Sequence, residues 1–315
     1  MRISIVVRAK NEEQHLPRLF RGLGLQDVEP HECILVDSGS TDSTVALARN
    51  QGWKVVSVPP ESFTFGRSLN IGFAAATGDV VVILSAHTYP VRTDFLRELT
   101  SELSDLENTF VYGRQVGDKR TKFSERVIMS QWFPAESVVE QGHAFSNNAC
   151  AAVPRKLWEA LRYDESLSGL EDIDFARRVL NKGGSVAYRE KAKIVHVHEE
   201  SARGTHNRYR REAYAYAQIF PHERMSLARA ARLLTNNIFR DLRLAHEAKV
   251  LTGNLLSIMV FRIAQFTGSW RGLRQGRDIE SALWRTFYHP SVVPFAIDEW
   301  ATPESNAIRY EGSHD

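Results

Sequence analysis

The sequence predicts an α/β fold in which a mostly parallel sheet is flanked by helices and followed by a helical C-terminal extension. In the first 110 residues, apolar runs alternate with helix-like segments of about ten residues, and strands separated in this way usually pair in parallel. From about residue 205 to about residue 285 the pattern is helical, with arginine throughout. We therefore expect two parts, residues 1–204 and residues 205–315, and a binding site at the carboxyl ends of the strands.

Apolar runs rich in Val and Ile predict the first strands, at residues 3–7, 33–36, 54–58 and from residue 80 onward. Helices are predicted between them. The first lies within residues 11–23, where Leu16, Leu19 and Leu23 have helical spacing. A second helix begins near Ser40 or Asp42 and ends at Gly52, and a third covers residues 67–77.

The later elements follow a less regular order. Helices are predicted at residues 94–107, after Pro154, and over the amphipathic segment EDIDFARRVLNKGG, which glycines close. Short strands are predicted at residues 109–112, 148–153, 185–190 and 193–198. Residues 117–145 have no clear pattern, and the last 25 residues are expected to form a loose tail packed on the body.

The distribution of charge limits the choice of partner. The net charge is only +2, yet residues 201–289 contain fifteen Lys and Arg against six Asp and Glu. This surplus indicates either a solvated helical surface or a contact with an anionic partner, such as phospholipid head groups or a phosphate-bearing substrate. No nucleic-acid-binding motif accompanies it and the isoelectric point is only about 8.5, so no nucleic-acid partner is expected.

Other classes are disfavoured by what the sequence lacks. Cys33 and Cys150 lie in apolar contexts, which predicts no disulfide framework or zinc site and fits a reducing, cytoplasmic compartment. No run of about eighteen apolar residues predicts a membrane span. The first strand is followed by RAKNEEQ rather than by a Gly-x-Gly-x-x-Gly turn, which disfavours a dinucleotide-dependent oxidoreductase.

Two groups of acidic residues are candidates for chemistry. Asp37 ends the second strand, where a carboxylate can bind a base or ribose, although Asp, Ser and Thr at this place also suit a simple turn and helix cap. Glu171, Asp172 and Asp174 begin a predicted helix. They are either favourable charges at the positive end of that helix or include a general base at the mouth of a site.

Histidines form a third candidate group. His196 and His198 alternate along a predicted strand and therefore face the same side. Two imidazoles on one face can bind a metal, although such a pair is also common as structural or exposed residues. His87, at the end of the strand that begins at residue 80, adds a third imidazole that can converge with them.

Over residues 2–200 the sequence resembles the inverting nucleotide-sugar glycosyltransferases of family 2, whose fold is known as GT-A. The resemblance is carried by segments in the family's order: SIVVRAKNEEQHLPRLFRGL, ILVDSGSTDSTVALA, GRSLNIGFAAATGDVVVILSAHTYP and NNACAAVPRKLWEALRYDESLSGLEDIDFARRVLNKGG. It implies that Asp172 is the general base, that Glu171 is its acidic neighbour and that Asp37 binds the nucleotide base. It also implies that the nucleotide-sugar pocket includes Arg8, Ala9, Glu12, Arg67, Ser85, Ala86 and His87.

The sequence departs from the family at its metal-binding motif. Where the family has two acids that hold a divalent metal, this chain has Ser85 and His87 within LSAH. Three accounts stay open. His87 ligates a metal, Mn or Mg, with His196 or His198 completing the site, and imidazole suits Mn or Zn better than Mg. Alternatively no metal binds, and His87 with Arg8 or Arg67 stabilises the diphosphate, or the protein has lost activity and only binds.

The C-terminal part has a weaker resemblance. Residues 250–266 are too short and too polar to span a bilayer. As a helix they either pack on the main domain or dock on an anionic membrane surface. FRIAQFTGSWRG and THNRYRREAYAYAQIF are similar to segments of family members that build bacterial surface polysaccharides, including rhamnosyltransferases. Those enzymes act on lipid-linked acceptors at the cytoplasmic membrane face.

The resemblance leads to an expected function. The chain is expected to be an inverting transferase that moves a sugar from a UDP- or dTDP-linked donor to a hydroxyl of a glycan or lipid-linked acceptor, in the cytoplasm or at the inner face of the cell membrane. A Gln-x-x-Arg-Trp motif of processive synthases is not found, which favours single-residue addition. The alternative is a non-catalytic nucleotide-sugar-binding or scaffold protein of the same fold.

Overall fold

The computed structural model describes residues 1–101, 103, 108–221, 224–274, 304 and 306–310. At its centre is one mixed sheet of eight strands. The strands are β1 (Ile3–Ala9), β2 (Glu32–Asp37), β3 (Lys54–Ser57), β4 (Val80–Ser85), β5 (Thr88–Pro90), β6 (Thr109–Val116), β7 (Cys150–Pro154) and β8 (Ser185–His196).

The strand order is β3-β2-β1-β4-β7-β6-β8-β5. The first four strands in this order are parallel, as the alternation of strands and helices predicts. β7 runs antiparallel to β4 and β6, while β6 and β8 are parallel. The register pairs Ala9 with Asp37 and Arg8 with Ser85, so the carboxyl ends of β1, β2 and β4 lie side by side. This edge of the sheet therefore presents most of the residues expected to bind a nucleotide sugar.

Helices cover both faces of the sheet. They are α1 (Leu16–Gly24), α2 (Thr44–Asn50), α3 (Phe65–Ala75), α4 (Phe95–Thr100), α5 (Phe123–Trp132), α6 (Arg155–Leu161), α7 (Glu171–Asn181), α8 (Ala202–Ile219), α9 (Leu227–Glu247) and α10 (Leu251–Leu273). Alternate strand residues enter two separate cores. One core lies beneath α1, α2 and α4, and the other beneath α3, α6 and α7. The predicted layered α/β architecture with a helical C-terminal part is confirmed.

The C-terminal helices pack closely on one another and on α5. Gly268 and Gly272 of α10 lie against the backbone of α8, where a Cβ atom would clash. Arg262, which is 1% exposed, donates two hydrogen bonds to the fully buried carboxylate of Asp241 on α9, at 2.7 and 2.9 Å. The same guanidinium donates to the carbonyl oxygen of Ser124 on α5. A buried charge network thus joins the C-terminal helices to the helix that carries part of the site.

Several elements differ from the sequence predictions. α5 lies within residues 117–145, where no helix was predicted. β8 is one strand rather than two, with a register shift opposite residues 113–114 of β6. α1 begins at Leu16 and not within residues 11–15, because those residues form the turn that follows β1. Residues 275–285 of the predicted helical region lie outside the described residues.

The described part of the C-terminal tail packs on the body, as expected. Tyr310 is buried and donates a hydrogen bond from its hydroxyl group to the carbonyl oxygen of Pro90. Glu304 forms ion pairs with Arg92 and Lys193. Within the described ranges, no helix combines the length and the apolar character needed to cross a bilayer.

Candidate active site

A cavity of about 330 Å³ opens between the carboxyl ends of β1 and β4 and helices α5, α7 and α8. Seven of the residues predicted from the sequence line it: Arg8, Ser85, His87, Glu171, Asp172, His196 and His198. Five of the predicted residues do not line this cavity: Ala9, Glu12, Asp37, Arg67 and Ala86. The structure therefore brings the predicted base and the predicted metal ligands into one cavity.

Asp37 lies outside this cavity, at the end of β2. Its carboxylate accepts hydrogen bonds from the backbone N–H groups of Gly39 and Ser40, each at 3.1 Å. Gly39 has a φ angle of +88° and lies against Pro60, so the turn needs glycine there. Ala9 is the neighbour of Asp37 on β1, whereas Arg67 is exposed on α3. The carboxylate thus stabilises its own turn and remains at the edge where the strands end.

Three histidines converge at one wall of the cavity. Each of His87, His196 and His198 contributes one nitrogen atom, and these atoms all lie within 4.8 Å of one another. The sheet brings them together, because His196 pairs with Thr88, the residue after His87, and Val197 donates its backbone N–H to the carbonyl oxygen of His87. The convergence of the three imidazoles, left open by the sequence, is therefore present in the structure.

Each histidine is held through its Nδ1 atom. The acceptors are Glu12 Oε1 for His87 at 3.0 Å, Gln115 Oε1 for His196 at 2.7 Å and Glu125 Oε1 for His198 at 2.8 Å. Because these oxygens can only accept, each places a proton on Nδ1, and in the neutral form of the ring the lone pair is then on Nε2. Metal-binding histidines are usually held in this way by a second layer of acceptors.

The electrostatics keep two of these imidazoles neutral. Burial lowers the pKa of His196, and the two neighbouring histidines lower it further. Burial also lowers the pKa of His198, and there Arg208 lowers it further. Nε2 of His196 is buried and has no hydrogen-bond partner within the described structure. A neutral imidazole with an unused nitrogen is the form that binds a metal. The three side chains therefore fit a divalent cation, and an all-imidazole set favours a transition metal over Mg.

Glu125 of α5 is a functional residue that the sequence did not indicate. It accepts hydrogen bonds from His198 and from Arg208, the latter at 2.6 Å. Burial opposes its ionisation, but Arg208 and His198 outweigh that effect and lower its pKa to about 2. Arg208 also binds Glu200, at 2.9 Å. A charged network from α5 and α8 thus supports the histidine cluster.

The predicted base also lines this cavity. Leu170, with a left-handed φ angle of 54°, turns the chain into α7 and places Asp172 in the first turn. Asp172 Oδ2 accepts a hydrogen bond from the backbone N–H of Asn148 at 3.1 Å, and Oδ1 accepts one from the N–H of Ile173 at 2.8 Å. Burial, together with the neighbouring charge of Glu171, raises the pKa of Asp172 to about 7. A carboxylate with this pKa can take a proton near neutral pH.

Glu171 is fixed beside the base. Its Oε1 atom accepts hydrogen bonds from Arg8 at 2.9 Å and from the side-chain amide of Asn148 at 3.3 Å. Arg8 also packs over the ring of Phe65, 5.1 Å from its centroid. Asn148, which sequence reasoning missed, therefore contacts both acids. Only its position at the start of the strand predicted at residues 148–153 could have indicated it.

The strand order and the two acids at the start of α7 form the arrangement that the resemblance to GT-A glycosyltransferases implies. Residues 4–159 match the family model described as Glycosyl transferase family 2. This part of the chain is a glycosyl transferase family 2 domain. Of the histidine cluster, only His87 lies within the matched range. The other two histidines, the acids Glu171 and Asp172, and helices α7 to α10 lie outside it.

Among curated proteins, the chain is similar to two transferases of Salmonella. It is 25% identical over 222 residues to the O-antigen chain rhamnosyltransferase RfbN of Salmonella typhimurium (strain LT2), covering 66% of this chain and 70% of that protein. It is 26% identical over 201 residues to the O-antigen chain rhamnosyltransferase WbaN of Salmonella anatum, covering 60% of this chain and 64% of that protein.

Among solved structures, similar folds occur in sugar-nucleotide complexes. One is the mannosyltransferase PcManGT from Pyrobaculum calidifontis in complex with GDP-Man and Mn²⁺, with a TM-score of 0.56, 20% identity and coverage of 86% of this chain and 87% of that one. Another is GalNAc-T7 with UDP, GalNAc and Mn²⁺, with a TM-score of 0.53, 15% identity and coverage of 71% and 48%. At these identities the likeness establishes the fold.

Proposed function

We propose that the chain is an inverting glycosyltransferase that moves a sugar from a UDP- or dTDP-linked donor to a hydroxyl group of a glycan acceptor. The observation that carries this proposal is that Asp172, with its pKa raised to about 7, faces the same cavity as the three-histidine cluster. Similarity to O-antigen chain rhamnosyltransferases supports bacterial surface polysaccharide synthesis as the setting and a rhamnosyl donor as the first to test.

In the proposed reaction, Asp172 removes the proton from the acceptor hydroxyl group as its oxygen attacks the anomeric carbon. The bond between that carbon and the diphosphate oxygen breaks on the opposite side, so the configuration inverts and the nucleoside diphosphate leaves with the bonding electrons. Asn148 and the backbone of Ile173 hold the Asp172 carboxylate in one orientation. Arg8 pairs with Glu171 and offsets part of the effect of that charge on the base.

His87, His196 and His198 are the residues that would hold a divalent metal. When bound, such an ion supplies positive charge for the diphosphate leaving group. Glu12, Gln115 and Glu125 orient the three rings through Nδ1. Neighbours of the same fold contain Mn²⁺, which supports Mn as the first metal to test.

The nucleotide is proposed to lie along the strand ends beside the cavity. Asp37 would bind the nucleotide base, and the remaining contacts would come from Arg8, Ala9, Glu12, Arg67, Ser85, Ala86 and His87. The register that sets Ala9 beside Asp37 and Arg8 beside Ser85 supports a continuous groove from the base site to the cavity.

The proposal is tested by a donor screen on the purified chain. Thermal shift with UDP- and dTDP-sugars, each with and without Mn and Mg, should show stabilisation by one donor class. Turnover of that donor with an acceptor should give a product whose new linkage has the opposite anomeric configuration, read from the NMR coupling of the anomeric proton. A product that retains the donor configuration would contradict the inverting mechanism.

Peripheral contact with an anionic membrane surface is a second proposal, and it rests on α10. Leu255, Leu256, Val260 and Ile263 are 41–76% exposed on this helix, within the basic C-terminal part. Such contact would place the protein in the cytoplasm, at the inner face of the membrane. Sedimentation with phosphatidylglycerol vesicles should fall when Leu256 and Val260 are both replaced by Ser, and unchanged sedimentation would reject this surface.

A further inference from the structure

α8 contributes a carboxylate to the cavity that the proposed reaction does not use. Glu212 lines the cavity on the α8 side, next to Arg208 and Arg211. It is partly exposed, and within the described part of the chain its carboxylate has neither a hydrogen bond nor an ion pair. Burial raises its pKa, although the two arginines act in the opposite direction. The acceptor capacity of this side chain is therefore available to a ligand.

Aromatic side chains line the cavity together with this carboxylate. A recess of about 30 Å³ shares part of the cavity lining, and the shared residues are Trp132, Leu170, Tyr209 and Glu212. Trp132 ends α5 and is only partly buried. Its indole ring packs edge-on against Phe145, with centroids 5.9 Å apart, which fixes its orientation. The junction thus combines a rigid apolar surface with a carboxylate that lacks a partner.

The junction lies on the side of the proposed base. Leu170 immediately precedes Glu171 and Asp172, and it lines both the cavity and the recess. Asp37, at the proposed nucleotide end, lines neither. A ligand at the junction would therefore reach the base from the acceptor side and would not occupy the nucleotide groove.

We propose that Trp132 and Glu212 form a binding subsite for a neutral pyranose ring of the acceptor glycan. A pyranose has an apolar face of C–H groups and an edge of hydroxyl groups. Trp132 packs against the apolar face, and the two oxygens of Glu212 accept hydrogen bonds from hydroxyl groups at the edge. This subsite rests on the proposed function, because it presents a hydroxyl group of that sugar to Asp172.

The test uses the full chain and simple sugars as probes. Methyl α-glycosides of rhamnose, mannose and galactose are titrated in the presence of saturating UDP or dTDP, and their binding is followed by saturation-transfer NMR. At least one glycoside should bind the wild type. Glu212→Gln and Trp132→Ala should each weaken that affinity about tenfold or more, because charge-assisted hydrogen bonds and aromatic contacts are removed. Trp132→Phe should keep part of it.

Matched measurements separate this subsite from a structural role. Glu159→Gln removes an exposed acid of α6 that pairs with Arg155, and it should leave glycoside binding unchanged. Nucleotide affinity and the thermal midpoint should be the same in Glu212→Gln as in the wild type. The subsite is wrong if no glycoside binds the nucleotide-bound wild type, or if either Glu212→Gln or Trp132→Ala binds as the wild type does. Failure of the proposed function would instead appear as absent nucleotide binding.

Discussion

Replacing Asp172 with Asn should lower kcat by about 10²–10⁴-fold while the affinity for the nucleotide donor stays unchanged. The amide has nearly the same shape and can still accept a hydrogen bond from the backbone N–H of Asn148. It cannot take the proton of the acceptor hydroxyl group. Turnover at saturating donor and acceptor measures the loss, and donor titration by calorimetry measures the affinity. The same pair of measurements distinguishes an enzyme from the non-catalytic alternative, which would have no turnover to lose.

The pH dependence of the wild type gives an independent check on this base. Burial and the charge of Glu171 raise the pKa of Asp172 to about 7, and a base acts only when it is deprotonated. The value of kcat/KM should therefore rise with pH through about 7. Glu171→Gln removes the neighbouring charge and should move this rise to lower pH.

A control substitution on the same helix guards against loss of structure. Asp174→Asn changes an acid of the same turn, which pairs with Arg177 and Arg178 and does not line the cavity. Its kcat should remain close to that of the wild type. Full activity of Asp172→Asn, or a rate that does not depend on pH between about 6 and 8, would show that another group is the base.

The strand ends of the site could be predicted from the sequence because their signals are local. A buried strand ends where its apolar run ends, so Asp37 and His87 were placed correctly at the carboxyl ends of β2 and β4 or just after them. The pair Glu171 and Asp172 was placed correctly at the start of a helix for the same reason. The alternation of elements then predicted the parallel half of the sheet.

α5 and its contribution to the site could not be predicted in this way. Ser124 and Glu125 are buried together with Phe123, Val127 and Ile128, so polar and apolar residues of this helix are not separated into two faces with a clear period of 3.6 residues. Its burial depends on α9 and α10, which lie more than a hundred residues later. Glu125 therefore resembled an ordinary charged residue in a segment without a pattern.

The meeting of the three histidines also depends on long-range pairing. The antiparallel pairing of β5 with β8 brings the residue after His87 opposite His196, and no local signal encodes that register. The sequence indicated three imidazoles that can converge. The fold adds an acceptor beside Nδ1 of each ring.

Removing the metal should reduce turnover at least about 100-fold if these histidines hold one, because the leaving diphosphate then loses its main electrostatic stabilisation. Excess EDTA followed by Mn, Zn or Mg tests this loss and its reversal. His196→Ala and His198→Ala should abolish binding of Mn, measured by electron paramagnetic resonance on the protein without donor. Zn or Mn should restore more activity than Mg, since all three side-chain donors are imidazoles.

A substitution at Glu125 tests the metal site without changing any of its three proposed ligands. Glu125→Gln keeps an acceptor for Nδ1 of His198 but removes the negative charge that faces both this ring and Arg208. We therefore expect metal affinity to fall about 10–100-fold although the three histidine ligands are intact. His31→Ala, which removes an exposed histidine outside the cavity, should change nothing. Equal activity in excess chelator and in Mn would reject the metal. It would favour the account in which His87 and the arginines stabilise the diphosphate, and His87→Ala would then lower kcat in the absence of any metal.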